Sequence, residues 1–363
     1  MRSLIDICDL SREEIADMIS VATDIIARPS AYAEKCKGKK IATLFFEPST
    51  RTRLSFEAAM YELGGNVLPV PGEALSSAAK GESIADTVRV ISSYADIIAM
   101  RSPKEGAAFV AANSAFVPII NAGDGGHCHP TQTLADLCTI YREKGSFDDL
   151  TVGFCGDLKY GRTVHSLITA LSRYRNVKLV LISPEELRLP NYVRLGVIER
   201  AGMPYVETDD LEGAIPDLDI LYMTRIQQER FEDRAEYERL KDAYILTEEK
   251  MRAAKKDACV MHPLPRVNEI SVKVDADPRA CYFKQVENGK YIRMALILKL
   301  LEEAKNLVKE DLLAGKEVFV GPSPCENPRC ISGTEQELAP LFKVVDRAAN
   351  ICRCVYCEKR KHL

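Results

Sequence analysis

Apolar residues recur at helical spacing over residues 10–27, LSREEIADMISVATDIIA, and Ser11 is followed three residues later by Glu14, the pattern of a capping box. After a basic turn, Lys37-Gly38-Lys39-Lys40, a largely apolar, strand-like run at 41–46 predicts a strand. It breaks at Glu47-Pro48 and restarts as a helix that ends at Gly64-Gly65, with a short strand at 66–70. Strand, loop, helix and strand in this order make an α/β layer unit. The rhythm continues with helices at 83–94, 104–113 and 133–141 and strands at 97–100 and 117–121. A polar break at 142–150, REKGSFDDL, marks the expected boundary between two α/β domains. Beyond it, strands are expected at 150–155, 177–182, 205–207 (edge-like), 220–223 and 259–261. Helices are expected at 192–201, from Asp209, after Thr247 and over 291–307, and the charged stretch 228–243 reads as a surface segment with helical parts.

Polar residues crowd where these elements end. The helix after Pro48 opens with Ser49-Thr50-Arg51-Thr52-Arg53, more hydroxyls and arginines than capping requires. Free N–H groups, the positive end of the helix dipole and a guanidinium fork all favour a phosphate there. Residues 71–82, PGEALSSAAKGE, lack periodicity and form a long loop in which Ser76 and Lys80 could meet an anion. Arg101 ends an apolar strand, the place where open α/β sheets bind ligands. The glycine-rich run 123–126 leads to His127-Cys128-His129-Pro130-Thr131-Gln132; its spacing suits metal poorly, and a neutral histidine donating to a carbonyl oxygen fits better. Residues 156–166 resemble the first βα turn of a doubly wound domain but lack G-x-G-x-x-G spacing, which argues against a dinucleotide and leaves Arg162 near a helix start. Thr224-Arg225-Ile226-Gln227 follows another strand, and His262-Pro263-Leu264-Pro265-Arg266 is a loop stiffened by two prolines.

Composition narrows the field. The 363 residues are 46% hydrophobic and 28% charged, with a net charge of −4, which suits a soluble protein handling small phosphates rather than nucleic acid. The N-terminus has no signal-like pattern, and even 291–301 is interrupted by Arg293 and Lys299, so no membrane association is expected and a cytoplasmic location is the default. Of twelve cysteines, seven are scattered through apolar segments and five fall between 325 and 357. Two thiolate pairs, Cys325/Cys330 with Cys354/Cys357, would make a tetrahedral structural zinc site, although Cys352 competes with Cys354 on spacing. A module with so little core gains folding free energy from such a metal.

Taken together, the motifs at 49–53, 129–132, 156–166 and 262–266 resemble those of the aspartate/ornithine carbamoyltransferase family over residues 1–307. The resemblance implies an α/β fold of two domains with parallel doubly wound sheets: 1–146 for carbamoyl phosphate and 147–307 for the amino acid, the last helix packing back on the first domain. Residues 308–363 are a linker and a small zinc-binding β domain, similar to that of the regulatory chain that accompanies bacterial members but joined here without its nucleotide-binding domain. Lys80, Arg225 and Gln227, and the absence of the cysteine that ornithine enzymes carry in the 262–265 stretch, imply L-aspartate as acceptor.

Residue by residue, the resemblance assigns phosphate to Ser49, Thr50, Arg51 and Thr52 and the carbamoyl group to Arg101, His129 and Gln132, with the Leu264-Pro265 turn offering a backbone carbonyl. It assigns the aspartate carboxylates to Arg162 and Arg225, assisted by Gln227. Ser76 and Lys80 would reach in from a neighbouring subunit of a trimer or dimer of trimers. No side-chain nucleophile and no organic cofactor are expected. The competing readings are a carbamoyltransferase for another acceptor and a zinc-containing subunit without catalysis; the joint presence of Arg51, Lys80, Arg101, His129, Arg162 and Arg225 speaks against the latter.

Overall fold

The computed structural model describes residues 1–71, 81–226, 234–240, 243–306, 308–335 and 338–362. It divides into two compact units, 1–131 with 290–363, and 132–289.

In the first unit, β1 (Lys40–Phe45), β2 (Asn66–Pro71), β3 (Ile97–Ser102) and β4 (Ile119–Asp124) form a parallel sheet of order β2-β1-β3-β4. Every position of β3 and β4 is buried, which is why these strands read as continuous rather than alternating apolar runs. The connecting helices include α1 (Arg12–Ala27), α2 (Thr50–Glu62), α3 (Ile84–Ser92) and α4 (Ala107–Ser114). The capping box at α1 is formed as the sequence implies, with Ser11 Oγ accepting from Glu14 N at 3.1 Å and Glu14 Oε2 from Ser11 N at 2.8 Å.

The second unit holds a parallel sheet of order β7-β6-β5-β8-β9, built from β5 (Thr151–Cys155), β6 (Lys178–Ile182), β7 (Tyr205–Thr208), β8 (Ile220–Met223) and β9 (Cys259–Met261). Helix α5 (Pro130–Lys144) leads into this unit and α6 (Arg162–Leu171) follows β5. Two helices differ from expectation. The long one begins at Tyr282 and ends at Glu303, because its first turns bury the polar Gln285 and Asn288, which hydrophobic periodicity does not register. The one expected at 192–201 is a single α turn, Asn191–Val193, running into a π-helical Arg194–Glu199 that contains Gly196.

The tail is a small antiparallel sheet: β10 (Val318–Val320), β11 (Leu341–Asp346), β12 (Ile351–Cys354) and β13 (Arg360–His362). It belongs to the first unit and packs on α4. Ile331, Phe342 and Tyr356 are buried in the same cluster as Ala107, Ala108 and Ala111, and the Tyr356 ring meets Phe109 edge-on at 5.7 Å. The Glu105 backbone bonds to Arg329 O at 2.8 Å and to Ile331 N at 2.9 Å, and its carboxylate accepts from Asn327 Nδ2 at 2.6 Å and Gly126 N at 3.1 Å. Gly106, with φ of +87°, lies where a Cβ would sit 2.5 Å from Tyr356, so only glycine allows this approach. Glu335 bonds the first amide of α3 at 2.7 Å, placing a negative charge at a helix N-terminus. Among the described residues no helix is long and apolar enough to cross a membrane.

Candidate active site and metal centre

The hydrogen bond from Phe46 N to Arg101 O, 2.9 Å, keeps the chain alongside β3 just past the end of β1 and sets Glu47 beside the Arg101 guanidinium, Nη2 to Oε1 at 3.2 Å. Helix α2 then begins with Ser49 as its N-cap residue, but the Ser49 side chain makes no capping bond. Its hydroxyl and the first-turn amides of Thr50, Arg51 and Thr52 lie at the positive end of the helix dipole, an arrangement that suits an anion. Partial desolvation, and next the positive charge of Arg101, pull the pKa of Arg51 below its ordinary value. The buried Nε of Arg101 meets no acceptor among the described residues. Two guanidiniums held near one another at a helix N-terminus favour a phosphate-sized anion.

His129, buried just before α5, has Nδ1 at 3.5 Å from Thr131 Oγ1. Sequence reasoning missed Arg293. Buried in the long helix, it donates to Ser55 Oγ at 2.9 Å and to Thr131 Oγ1 at 3.5 Å, with its guanidinium 5.2 Å from the Phe56 ring centroid, tying α2 to the segment that follows His129. Its signal was visible as an arginine inside an apolar helix.

The structure separates His129 from its neighbours His127 and Cys128. Those two gather with Asp6, their donor atoms within 4.8 Å of one another. Each is engaged with protein: His127 Nδ1 with Asp124 Oδ2 at 2.9 Å, Cys128 Sγ with Ile5 O at 3.3 Å, and Asp6 Oδ1 with Cys8 N at 2.8 Å. Burial works against a charged His127, but the Asp124 carboxylate outweighs it and holds the imidazolium well above its usual range. Burial pushes the Cys128 thiol well up. The cluster braces the loop that precedes His129.

In the second unit, Gly156 has φ of +113°, and a Cβ there would lie 2.4 Å from Thr224 O. This close approach lets Thr224 Oγ1 accept from Asp157 N and donate to Cys155 O, both at 2.9 Å, so the loops after β5 and β8 lie side by side. They carry Arg162 and Arg225, both half-buried, at the C-terminal edge of the sheet. His165 braces the first loop: Nε2 donates to Leu158 O at 2.7 Å and Nδ1 accepts from Tyr192 OH at 2.9 Å. Burial pulls its pKa down to about 4, leaving a neutral ring.

The 262–266 loop is fixed by His262. Its Nδ1 accepts from Leu264 N at 2.7 Å, so the proton sits on Nε2, which donates to Glu269 Oε1 at 2.7 Å. Leu264 takes a left-handed φ of +54°, and its peptide bond to Pro265 is cis. Gln132 Nε2 donates to the buried Asp136 at 2.8 Å. Their partners Asp136, Gln285 and Glu269 carry no local sequence signature, whereas His262 stands in the 262–266 motif. Ser76, Lys80 and Gln227 lie outside the described residues.

Four sulfurs, of Cys325, Cys330, Cys354 and Cys357, lie within 4.8 Å of one another. Two of the separations are 3.6 Å (Cys325 to Cys357) and 3.7 Å (Cys330 to Cys354), beyond disulfide bonding. A tetrahedron with zinc–sulfur bonds of about 2.3 Å has edges of about 3.8 Å, so the cluster fits such an ion. The hydrogen bond between Cys330 and Cys354 lowers the Cys330 thiol and raises that of Cys354, as expected of sulfurs close enough to share a proton. Cys352 stands apart, its Sγ on Lys361 O at 3.4 Å.

Comparison with known proteins matches these parts in order. Residues 2–142 match the carbamoyl-P binding domain of aspartate/ornithine carbamoyltransferase, 148–300 its Asp/Orn binding domain, and 320–362 the metal binding domain of the aspartate carbamoyltransferase regulatory chain. The aspartate carbamoyltransferase catalytic subunit of Lachnoclostridium phytofermentans is 62% identical over 301 residues, 83% of this chain and 98% of that one.

The chain belongs to the aspartate/ornithine carbamoyltransferase family. Among solved members of that family, the M. jannaschii aspartate transcarbamoylase catalytic subunit superposes with a TM-score of 0.79 at 48% identity, covering 84% of this chain and 99% of the other. The Trypanosoma cruzi enzyme, in complex with carbamoyl phosphate and aspartate, gives 0.78 at 40% identity, covering 82% and 96%. What sets this member beside the catalytic subunits it resembles is the metal-binding module on the same chain.

Proposed function

We infer that the chain is an aspartate carbamoyltransferase, moving the carbamoyl group of carbamoyl phosphate to the amine of L-aspartate, in pyrimidine biosynthesis, to give N-carbamoyl-L-aspartate and phosphate. The observation that carries the mechanism is the uncapped start of α2 beside Arg51 and Arg101.

In this reading Ser49, Thr50, Arg51 and Thr52 hold the phosphate. Arg51, Arg101 and His129 surround the carbamoyl oxygen, while Gln132 and the Leu264-Pro265 turn meet the carbamoyl amine. Arg162 and Arg225, with Gln227, pair with the two aspartate carboxylates. The neutral amine of aspartate attacks the carbamoyl carbon, a C–N bond forms, and negative charge grows on the oxygen, where preorganised cations stabilise it. The bond from the carbamoyl carbon to the bridging phosphate oxygen then breaks, and the departing phosphate, which keeps that oxygen, accepts the amine proton within the α2 pocket. Catalysis is positioning and charge compensation throughout.

Ser76 and Lys80 act from a neighbouring subunit of a catalytic trimer, a state that mass measurement in solution tests. Zinc held by Cys325, Cys330, Cys354 and Cys357 serves the fold of the tail, since a shell of four sulfurs keeps no open position for water or substrate. Product formation from carbamoyl phosphate with aspartate, ornithine and related amines tests the reading; turnover confined to a different acceptor overturns it.

A further inference from the structure

The orientation of an amide side chain follows from what its two ends touch, and here the chain of contacts starts from an unambiguous donor. His262 N, a backbone N–H, donates to Gln285 Oε1 at 3.0 Å. Gln285 therefore turns its Nε2 the other way, onto Asp136 Oδ1 at 2.5 Å. Asp136 Oδ1 also receives Gln132 Nε2 at 2.8 Å, and Oδ2 receives Tyr222 OH at 3.0 Å. A carboxylate facing three donors accepts only, so Gln132 keeps its nitrogen inward and presents Oε1 as its outward end. His262 is also the residue whose ring pins Leu264 N at 2.7 Å. One buried residue thus fixes the loop carrying the Leu264 carbonyl and, through Gln285 and Asp136, the polarity of Gln132.

We propose that the buried chain His262–Gln285–Asp136 makes Gln132 an obligatory hydrogen-bond acceptor and so selects an acyl phosphate with an amine, rather than a methyl group, on its reacting carbon. Asp136 is the positioning residue of this device, and it acts through Gln132. The inference rests on the assignment of Gln132 and the Leu264-Pro265 turn to the carbamoyl group. An amine offers two N–H donors to the acceptors Gln132 Oε1 and the Leu264 carbonyl. A methyl group offers none and leaves both unpaired, the arrangement that gives polar sites their strongest discrimination.

Acetyl phosphate, which keeps the phosphate and carbonyl of carbamoyl phosphate but replaces the amine by methyl, is the probe. With Asp136→Ala, Gln132 loses its anchor. We expect kcat/KM for carbamoyl phosphate to fall about tenfold while inhibition by acetyl phosphate changes by less than about twofold. Asp136→Asn restores kcat/KM to within about threefold, because Gln285, still set by His262 N, holds the asparagine's carbonyl toward Gln132. Parallel losses for both ligands in a folded Asp136→Ala enzyme, or no loss for either, overturn the proposal. If Asp136→Ala does not fold, Gln132→Met removes the outward acceptor while leaving Asp136 with two donors. The same selective loss is expected, and equal weakening of both ligands overturns the idea. Wild-type turnover of carbamoyl phosphate with aspartate is measured first. Its absence defeats the functional reading itself, whereas parallel losses in an active enzyme defeat only the role of Asp136.

Discussion

The start of α2 and the four-cysteine tail rest on the same unit, yet they divide the labour between frame and polar group in opposite ways. Around α2, strands β3 and β4 are buried at every position, so the frame is apolar and Arg51, Arg101 and Glu47 are attached at its rim. In the tail, β10 and β13 have no buried position and β11 has one, while β12 is buried at three of four, two of them Cys352 and Cys354, and four thiols meet at its end. Removing a polar group should therefore cost chemistry at the first place and structure at the second.

The largest expected effect is in the tail. Cys354→Ser breaks the four-sulfur shell, with on the order of 10 kcal/mol of metal-coupled folding free energy at stake. Metal content should fall to near zero and amides over 318–362 should lose exchange protection; a full equivalent of metal in this variant would show that the frame stands without its thiols. Next, Arg51→Ala should lower turnover about 10²–10³-fold, with its unfolding midpoint within about 2 °C of wild type. A large drop in that midpoint would erase the contrast.

Gly156→Ala tests the second unit, where frame and site meet. The added Cβ would lie 2.4 Å from Thr224 O in a left-handed backbone. A loss of roughly 2 kcal/mol in denaturant unfolding is expected, together with a raised KM for aspartate; a wild-type midpoint would mean the two loops part freely. His165 gives a smaller, pH-dependent effect. Burial lowers its pKa from 6.5 to about 4, so the unfolded chain takes up the proton first. That stability is full above pH 6.5 and is lost as pH falls toward 4. In His165→Asn the dependence of the unfolding midpoint on pH over this window should flatten, and an unchanged slope assigns the acid sensitivity elsewhere. Smallest of all, Cys352→Ser should leave metal content unchanged and stability within about 1 kcal/mol, because its sulfur meets Lys361 O outside the cluster.

Much of the frame was legible because its causes are local. The capping box at Ser11 and Glu14 lies within one turn, buried parallel strands read as apolar runs, and Thr247 caps the helix Glu248–Met251 where the pattern placed it. The helix at 192–201 misled because Gly196 sits within a π-helical turn, and the start of the long helix was hidden by buried Gln285 and Asn288. The motif at 49–53 and the paired cysteines were likewise visible as short-range clusters of one chemistry.

The sequence by itself determined the alternation of elements, the cluster of hydroxyls and arginines at the start of α2, the residues proposed to meet two anionic substrates and the thiols able to hold a metal. Each of these is written within a few neighbouring residues, where spacing and residue type decide the local geometry. Tertiary structure decided the rest. Cys354 rather than Cys352 joins Cys325, Cys330 and Cys357, because two residues along a strand move a side chain by roughly 6–7 Å, out of a ligand's reach. Arg293 reaches Ser55 across 238 residues of chain, and Gln285 reaches Asp136 across 149. Such partners are chosen by the packing of whole helices, whose contacts leave no periodic trace in the chain that makes them.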